Sequence, residues 1–551
     1  MFKISFAAWA AIAPELLLLI AAVAIIVLSS MKSEFRFQLG TALGGLVLAG
    51  LVSSLFVFAE GGSRSIFPHA DSISRVVLDA YTAVFFIIFV GIGLVTCLLS
   101  VRYLEMNKSL RGEYFALVLF GIIGMMIMVS ARDLLVMFLG METMSIAAYM
   151  LVGFLIPARR SQEAAMKFFL TGAFGTAIFL FGLAYTFGAT GSIDFVMIGE
   201  LAAKKMSSTT FFGIGMVFLL VGFAFKVAAV PFHMWLPDVE DGAPTPVTAF
   251  MATGIKTAAF VVMARLVMVS FNVQPLAWLD MVLVGLCIGT MLWGNLAAIA
   301  QTSIKRLLAY SSLGHAGYLM MALVARNEPE AAMSGLQFYL FVYMLMNAGA
   351  FSVILIFERL EGRKLQIANY SGLAARYPGL AACLALFLLS LAGLPPTAGF
   401  MGKWVLFGGA VKAGYIGLAI IGVLTSILAV YAHVKVVYTM FMKPMTVATA
   451  DAGPEFPAER ALSWFLALAV IGFGVMPLSL AVVSKDSTKY AGWNKTLIKK
   501  AVKRQKKQVA PRKKKAASRK PIVRKAVKRI QKRPIHKRPT SLPTPRTALR
   551  R

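Results

Sequence analysis

The sequence predicts an all-α protein that crosses a bilayer about fourteen times, a polytopic membrane protein with no soluble domain of size. Two observations carry that prediction. Of 551 residues, 59% are apolar and only 14% are charged, whereas a soluble domain runs near a quarter charged. Apolar runs of around 20 residues also recur from Ala7 to Val483, each long enough to cross a hydrocarbon core about 30 Å thick. In lipid the backbone must satisfy its own polar groups. Continuous runs, rather than ~10-residue alternating strands, therefore call for helices and not a barrel.

The first run, 7–29, follows Lys3 and imitates a signal peptide, but Pro14-Glu15 and the lack of a clear cleavage site make it the first span. Spans then follow at 39–59, 79–100, 113–130, 134–156, 166–190, 210–231, 244–271, 276–300, 306–325, 333–357, 379–411, 413–442 and 461–483. The seventh ends in Val230-Pro231-Phe232-His233, and Leu394-Pro395-Pro396-Thr397-Ala398-Gly399 interrupts the twelfth. Proline removes an amide donor and clashes with the preceding turn, so both are expected to be broken helices. Two breaks five spans apart suggest two five-helix repeats, spans 4–8 and 9–13. An odd number of spans per repeat makes the copies inverted. The chain then divides into 1–110 (spans 1–3), 111–271 (first repeat), 272–442 (second repeat), 443–484 (span 14) and 485–551 (a basic tail).

The formal net charge of +31 belongs mostly to that tail. From Lys499 to Arg551 there are 23 Lys and Arg and no acid, which leaves 32 basic and 24 acidic residues elsewhere, a net of +8. Short loops after odd-numbered spans hold 15 Lys and Arg against 7 after even-numbered spans. The positive-inside bias makes the first set cytoplasmic and puts both termini outside. The tail's own charge argues the other way, but long segments can cross despite their charge. Cys97, Cys287 and Cys383 lie far apart within apolar runs and read as small apolar fillers, with no disulfide or metal spacing.

The informative residues are ionisable groups inside the spans: Glu142, Lys167, Lys226, Lys256 and Lys403, with His233 just past Pro231. A charge at mid-membrane costs about 2.5–3.5 kcal/mol even on a lenient scale, so such residues have partners or a function. Lys167 and Lys435 lie where a lysine can snorkel. His315 reads first as a satisfied core histidine, His433 is a further candidate, and Arg265 reads equally as a structural pair-former or a conductor. Glutamates and lysines together suit protons. Burial favours the neutral amine and a neighbouring carboxylate favours the ammonium, so small motions load or release a proton. A sodium site would want several clustered oxygen ligands, which this set does not offer.

These residues carry a resemblance. The chain is similar to subunit N (the subunit 2 family) of respiratory complex I, the proton-pumping NADH:quinone oxidoreductase. The matching motifs are Ala13-Pro14-Glu15-Leu16, Leu139-Gly140-Met141-Glu142, Lys226-Val227-Ala228-Ala229-Val230-Pro231-Phe232-His233, Gly242-Ala243-Pro244-Thr245-Pro246, Lys305-Arg306-Leu307-Leu308-Ala309-Tyr310-Ser311-Ser312 and Gly393-Leu394-Pro395-Pro396-Thr397-Ala398-Gly399-Phe400-Met401-Gly402-Lys403. The resemblance covers roughly 7–490 and implies an antiporter-like fold built of two half-channels. It implies that Glu142 and Lys226 form the charge pair of the first half, fed or linked by Lys167 and His233. Lys256 would be the central carrier and Lys403 the carrier of the second half. A lysine at 403, where the sister subunits commonly have glutamate, favours subunit N over M. Family members usually read Asp-Val-Tyr in the seventh loop, where this chain has Asp238-Val239-Glu240-Asp241.

The resemblance implies no cofactor in this chain, with FMN, iron–sulfur clusters and quinone in partner subunits. The sequence agrees, since no dinucleotide-binding glycine motif and no cysteine cluster is present. Expected partners are other membrane-arm subunits (an antiporter-like sister and small membrane subunits), lipid and protons, in a bacterial cell inner membrane. Subunits of multi-subunit cation/proton antiporters or membrane-bound hydrogenases share the plan and are the closest rival. A nucleic-acid-binding tail is another reading. The tail's Lys and Arg would attract any polyanion, but without aromatics to stack bases no specific nucleic acid is expected. A solvated tail touching anionic lipid is the plainer reading.

Overall fold

Aspartates begin three of the helices. Asp79 accepts from Thr82 N at 2.8 Å, Asp133 from Leu135 N and Val136 N at 2.9 and 2.8 Å, and Asp194 from Val196 N and Met197 N at 3.0 Å each. Each carboxylate satisfies amides that the first helical turn leaves without partners. The computed structural model describes residues 12–59, 75–156, 158–203, 209–271, 277–360, 365–444 and 457–476. The basic tail and the last residues of the fourteenth span lie outside the described residues.

The described chain is helical throughout its spans. The helices are α1 (Ala13–Ser30), α2 (Phe35–Ala59), α3 (Ala80–Met106), α4 (Glu113–Ser130), α5 (Leu134–Val152) and α6 (Arg159–Thr190). A short α7 (Phe195–Ala203) leads to α8 (Thr209–Lys226) and α9 (Trp235–Gly242). Next comes α10 (Thr245–Ser270), which contains a π-helical turn at Met251–Ile255. The remainder are α11 (Ala277–Ile299), α12 (Ile304–Val324), α13 (Pro329–Leu360), α14 (Pro378–Ala392), α15 (Ala398–Lys412), α16 (Ile416–Met442) and α17 (Pro457–Val475).

Among the described residues, twelve helices are long and apolar enough to span a membrane, and α8 and α14 are shorter apolar helices. Those two are the interrupted seventh and twelfth spans, so the expected set of about fourteen is complete. After α8 the chain turns through Ala228, at φ 57°, and a cis Val230–Pro231 bond before α9 begins. Gly393, at φ 89°, ends α14 ahead of the cis Pro395–Pro396 bond. A left-handed residue at that position suits glycine.

Several span ends differ from the sequence expectation by a turn or more, such as the third span, which continues to Met106, and the sixth differs most. The sixth span was expected at 166–190, yet α6 starts at Arg159. Its first turns, Arg159-Arg160-Ser161-Gln162-Glu163, are too polar for a hydropathy reading. The Ser161 hydroxyl donates to the Val152 carbonyl and so anchors the start of α6 on the end of α5. Lys167 therefore lies two turns inside α6 instead of opening it.

The bundle is layered. All of the most apolar window of α10 is buried, and 94% of those of α12 and α13, against 28% for α2 and α6. The outer helices expose large apolar side chains such as Leu55, Phe174, Trp293, Trp404 and Ile427, as lipid-facing surfaces do. Connections meet at both ends in the order that alternating spans require. The link after span 2 pairs with that after span 4 (Val76 with Ala131), and the latter with that after span 6 (Asp133 with Asp194). At the other end the links after spans 9 and 11 pair through Ser303 and Gln366.

Candidate functional site

Glu142 is set by a close helix crossing. A Cβ at Gly124 would strike the Met144 backbone, and one at Gly140 would strike Met128, so the two glycines let α4 and α5 touch along their backbones. Glu142, two residues on, is half-buried and accepts from the Thr176 hydroxyl of α6 at 2.8 Å. Lys226, the last residue of α8, is 4% exposed. Its Nζ donates to Ser145 Oγ at 2.7 Å and lies 6.0 Å from the Tyr149 ring centroid. Ser145 follows Glu142 by one turn on α5. The structure thus brings Glu142 and Lys226 to the same crossing, where they act on each other electrostatically with Ser145 as the direct contact and no direct ion pair.

Short helix α9 sends three carboxylates to different cations. Asp238, at the rim, accepts from Lys167 at 3.0 Å and from Arg306 at 2.8 Å. Lys167 is exposed and also pairs with Glu163 at 2.7 Å, so it fastens α6 to α9 rather than lying among the buried groups. Asp241 accepts from Ser303 at 2.8 Å, near Lys305, whose Nζ donates to the Ala243 carbonyl at 2.6 Å. Glu240 points inward, 1% exposed, with its Oε1 4.0 Å from Lys256 Nζ. His233, just before α9, is half-buried with its ring 5.8 Å from that of Trp293.

Lys256 follows the π turn directly. It is buried and donates to Ser312 of α12. Beyond it the polar row continues into the second half. His315 Nδ1 meets the Tyr339 hydroxyl at 2.5 Å, and His433 Nε2 meets Ser311 at 3.1 Å. His315 lies within electrostatic reach of Lys256, Lys403 and His433. Lys403 is buried, donates to the Ala392 carbonyl at 2.8 Å and lies 4.8 Å from the Tyr318 ring centroid. Three members of the row lie near the middle of their helices: Glu142 is the ninth of 19 residues in α5, Lys256 the twelfth of 26 in α10, and Ser312 the ninth of 21 in α12, while Lys226 ends α8 at its break.

Two other candidates fasten helices together. Arg265 donates to the Val129 carbonyl at 2.7 Å and to Thr82 Oγ1 at 3.2 Å, and pairs with Asp79 at 3.4 Å, joining α3, α4 and α10. Lys435 donates to the carbonyls of Ile299 and Gln301 at 3.2 and 3.3 Å, where the C-terminal end of α11 favours a cation. Cys97, Cys287 and Cys383 are buried and free. Sequence reasoning did not place Glu240 or the hydroxyls of Ser145, Ser312 and Tyr339 in the row. The hydroxyls carry no hydropathy signal, and Glu240 sits in an acidic stretch that reads as a solvated loop.

The family described as "NADH:quinone oxidoreductase/Mrp antiporter, TM" matches residues 131–429, which contain every member of the row except His433. NADH-quinone oxidoreductase subunit N of Trichlorobacter lovleyi is 43% identical over 403 residues, 73% of this chain and 82% of the relative. That of Chloroflexus aggregans is 40% identical over 447 residues, 79% of this chain and 87% of the relative. Among solved structures, respiratory complex I from Thermus thermophilus with bound aureothin holds a chain with TM-score 0.71 and 31% identity, covering 86% of this chain and 99% of its own. The Mrp complex from a Dietzia species gives TM-score 0.78 at 21% identity, covering 89% and 99%, a likeness of fold. The chain belongs to the membrane family shared by NADH:quinone oxidoreductases and Mrp antiporters, and within it to the NADH-quinone oxidoreductase subunits N.

Proposed function

We propose that this chain moves protons across a bacterial cell inner membrane as a membrane-arm subunit of an NADH:quinone oxidoreductase. FMN, iron–sulfur clusters and the quinone site belong to partner subunits in this reading, and the neighbours are an antiporter-like sister and small membrane subunits. The observation that carries it is the row itself. Three lysines, Lys226, Lys256 and Lys403, are each no more than 5% exposed; Ser145 and Ser312 hydroxyls accept from the first two, and His315 lies within electrostatic reach of the last two. A buried ammonium is costly unless a partner or a function keeps it there.

The two broken helices divide the row into inverted halves. Glu142 and Lys226 work in the first, Lys403 in the second, and Lys256 with His315 joins them. In the first half Glu142 holds the charged form of Lys226 across the Ser145 contact, so a small shift of α5 against α8 changes that hold. His233 and Lys167 flank this half at the α9 end, Lys167 through Asp238. Redox work in the partners would drive such shifts.

The test is proton pumping by the reconstituted complex carrying Glu142→Ala, Lys226→Ala or both, with Lys435→Ala as the control. Each single variant is expected to lower pumping and NADH:quinone turnover about 10–100-fold, the low end for loss of a positioned proton-transfer group. Assembly, read from the subunit complement of the purified complex, and NADH oxidation by an artificial acceptor should both persist. Normal pumping by both single variants would sink the mechanism.

A further inference from the structure

Glu240 behaves unlike its neighbours on α9. Asp238 accepts from Lys167 and Arg306, and Asp241 accepts from Ser303. Glu240 is more deeply buried than either, yet neither of its carboxylate oxygens accepts a hydrogen bond among the described residues. Its nearest cation, Lys256, is 4.0 Å away and gives its own hydrogen bond to Ser312. Lys305 on α12 and Tyr343 on α13 face it electrostatically. A carboxylate kept for stability would be expected to accept hydrogen bonds, because a buried ion pair of poor geometry does not repay its desolvation.

What Glu240 faces is a cavity. Lys226, Glu240 and Lys256 line it together, walled by Phe168, Trp235 and Met251. About 10 Å³ is open to the centre of a water molecule, close to the least that one water needs. The Lys226 and Lys256 ammonium groups are engaged by Ser145 and Ser312, so the two unpartnered oxygens of Glu240 are the acceptors beside this space, the minimum of two polar partners that such a water requires. Residues from α8, α9 and α10, three successive elements, thus converge on one water-sized space.

We propose that Glu240 is an additional proton carrier, placed between Lys226 and Lys256 and reached through one water in this cavity. The inference rests on the proton-moving reading above and adds a step to it. Lys226 ammonium gives a proton to the water, which gives one to Glu240, leaving a neutral amine, an unchanged water and a carboxylic acid. Glu240 then gives its proton to a neutral Lys256, regenerating the carboxylate and forming the Lys256 ammonium. One N–H bond breaks and one forms, and no charge is created.

The experiment uses the whole reconstituted complex with NADH and quinone, comparing wild type with Glu240→Gln, Glu240→Asp and Lys256→Ala. Glutamine keeps the shape and cannot carry the proton, so pumping is expected to fall at least about tenfold, while the subunit complement of the purified complex shows that it is intact. Aspartate keeps the carboxyl and should restore most of the loss. The redox-induced infrared difference spectrum should contain a carboxylic-acid C=O band that is absent in Glu240→Gln and shifted in Glu240→Asp. Pumping and band unchanged in Glu240→Gln, with Lys256→Ala defective, would overturn the role of Glu240 and leave the relay standing. Full pumping by Lys256→Ala as well would bring down the relay and this step together. If Glu240→Gln does not assemble, Glu240→Asp decides: an unshifted band overturns the proposal, and a shifted band with slowed pumping supports it.

Discussion

Arg265 and Lys403 are both buried cations in apolar helices, and their surroundings assign them different work. Arg265 reaches a carboxylate, a hydroxyl and a carbonyl on two other helices, while Lys403 has one carbonyl and the face of a tyrosine. The first is a satisfied clamp and the second a charge held loosely. Arg265→Met should therefore cost about 3–5 kcal/mol of stability, because Asp79 is left buried without its cation. A lowered melting temperature with an unchanged proton-to-electron ratio in the surviving complex is the expected result, and a changed ratio would make Arg265 a conductor. Glu142, Lys226, Lys256 and Lys403 were legible in the sequence because each interrupts an apolar run. Glu240 was legible only as an acid in the wrong company. Its burial depends on α9 packing against α6 and α12, which no local pattern announces.

Helices were easier to read than their joints. Hydropathy located every span, and proline located both breaks, since a missing amide donor is a local fact. The start of α6 escaped because its polar first turns are held by a contact with α5. The crossing of α4 and α5 also depends on two glycines whose meeting is tertiary. Gly140→Ala should set a methyl against the Met128 backbone and cost about 1–3 kcal/mol. Gly408→Ala, in open space on α15, should stay within about 0.5 kcal/mol. Thermal unfolding of the purified complex compares the two. Equal melting temperatures would mean that α4 and α5 are not pressed together at Gly140.

Across the whole molecule, ion pairs gather at the two ends. Asp79, Asp133 and Asp194 pair with Arg265, Arg75 and Arg132 at one end, and Asp238 ties Lys167 and Arg306 at the other. The 15-to-7 loop bias predicts a cytoplasmic Asp238 end. Reporter fusions at Ser109 and Glu361 should read as cytoplasmic and a fusion at Lys205 as external, and the opposite pattern would invert the topology. The proposed carriers between these ends sit either near mid-helix, as Lys256 does in α10, or beside a helix break, as Lys226 does at the end of α8. A transmembrane voltage acts only on displacement along the bilayer normal, about 2.3 kcal/mol per charge per 100 mV for a full crossing. In the proposed relay, hops from Lys226 to Lys256 and on to Lys403 would run largely across that direction and do little electrical work. The opposing voltage would then fall on the steps that load the row from one face and unload it to the other, so a charged membrane would throttle the proposed relay at its mouths and leave its interior traffic untouched.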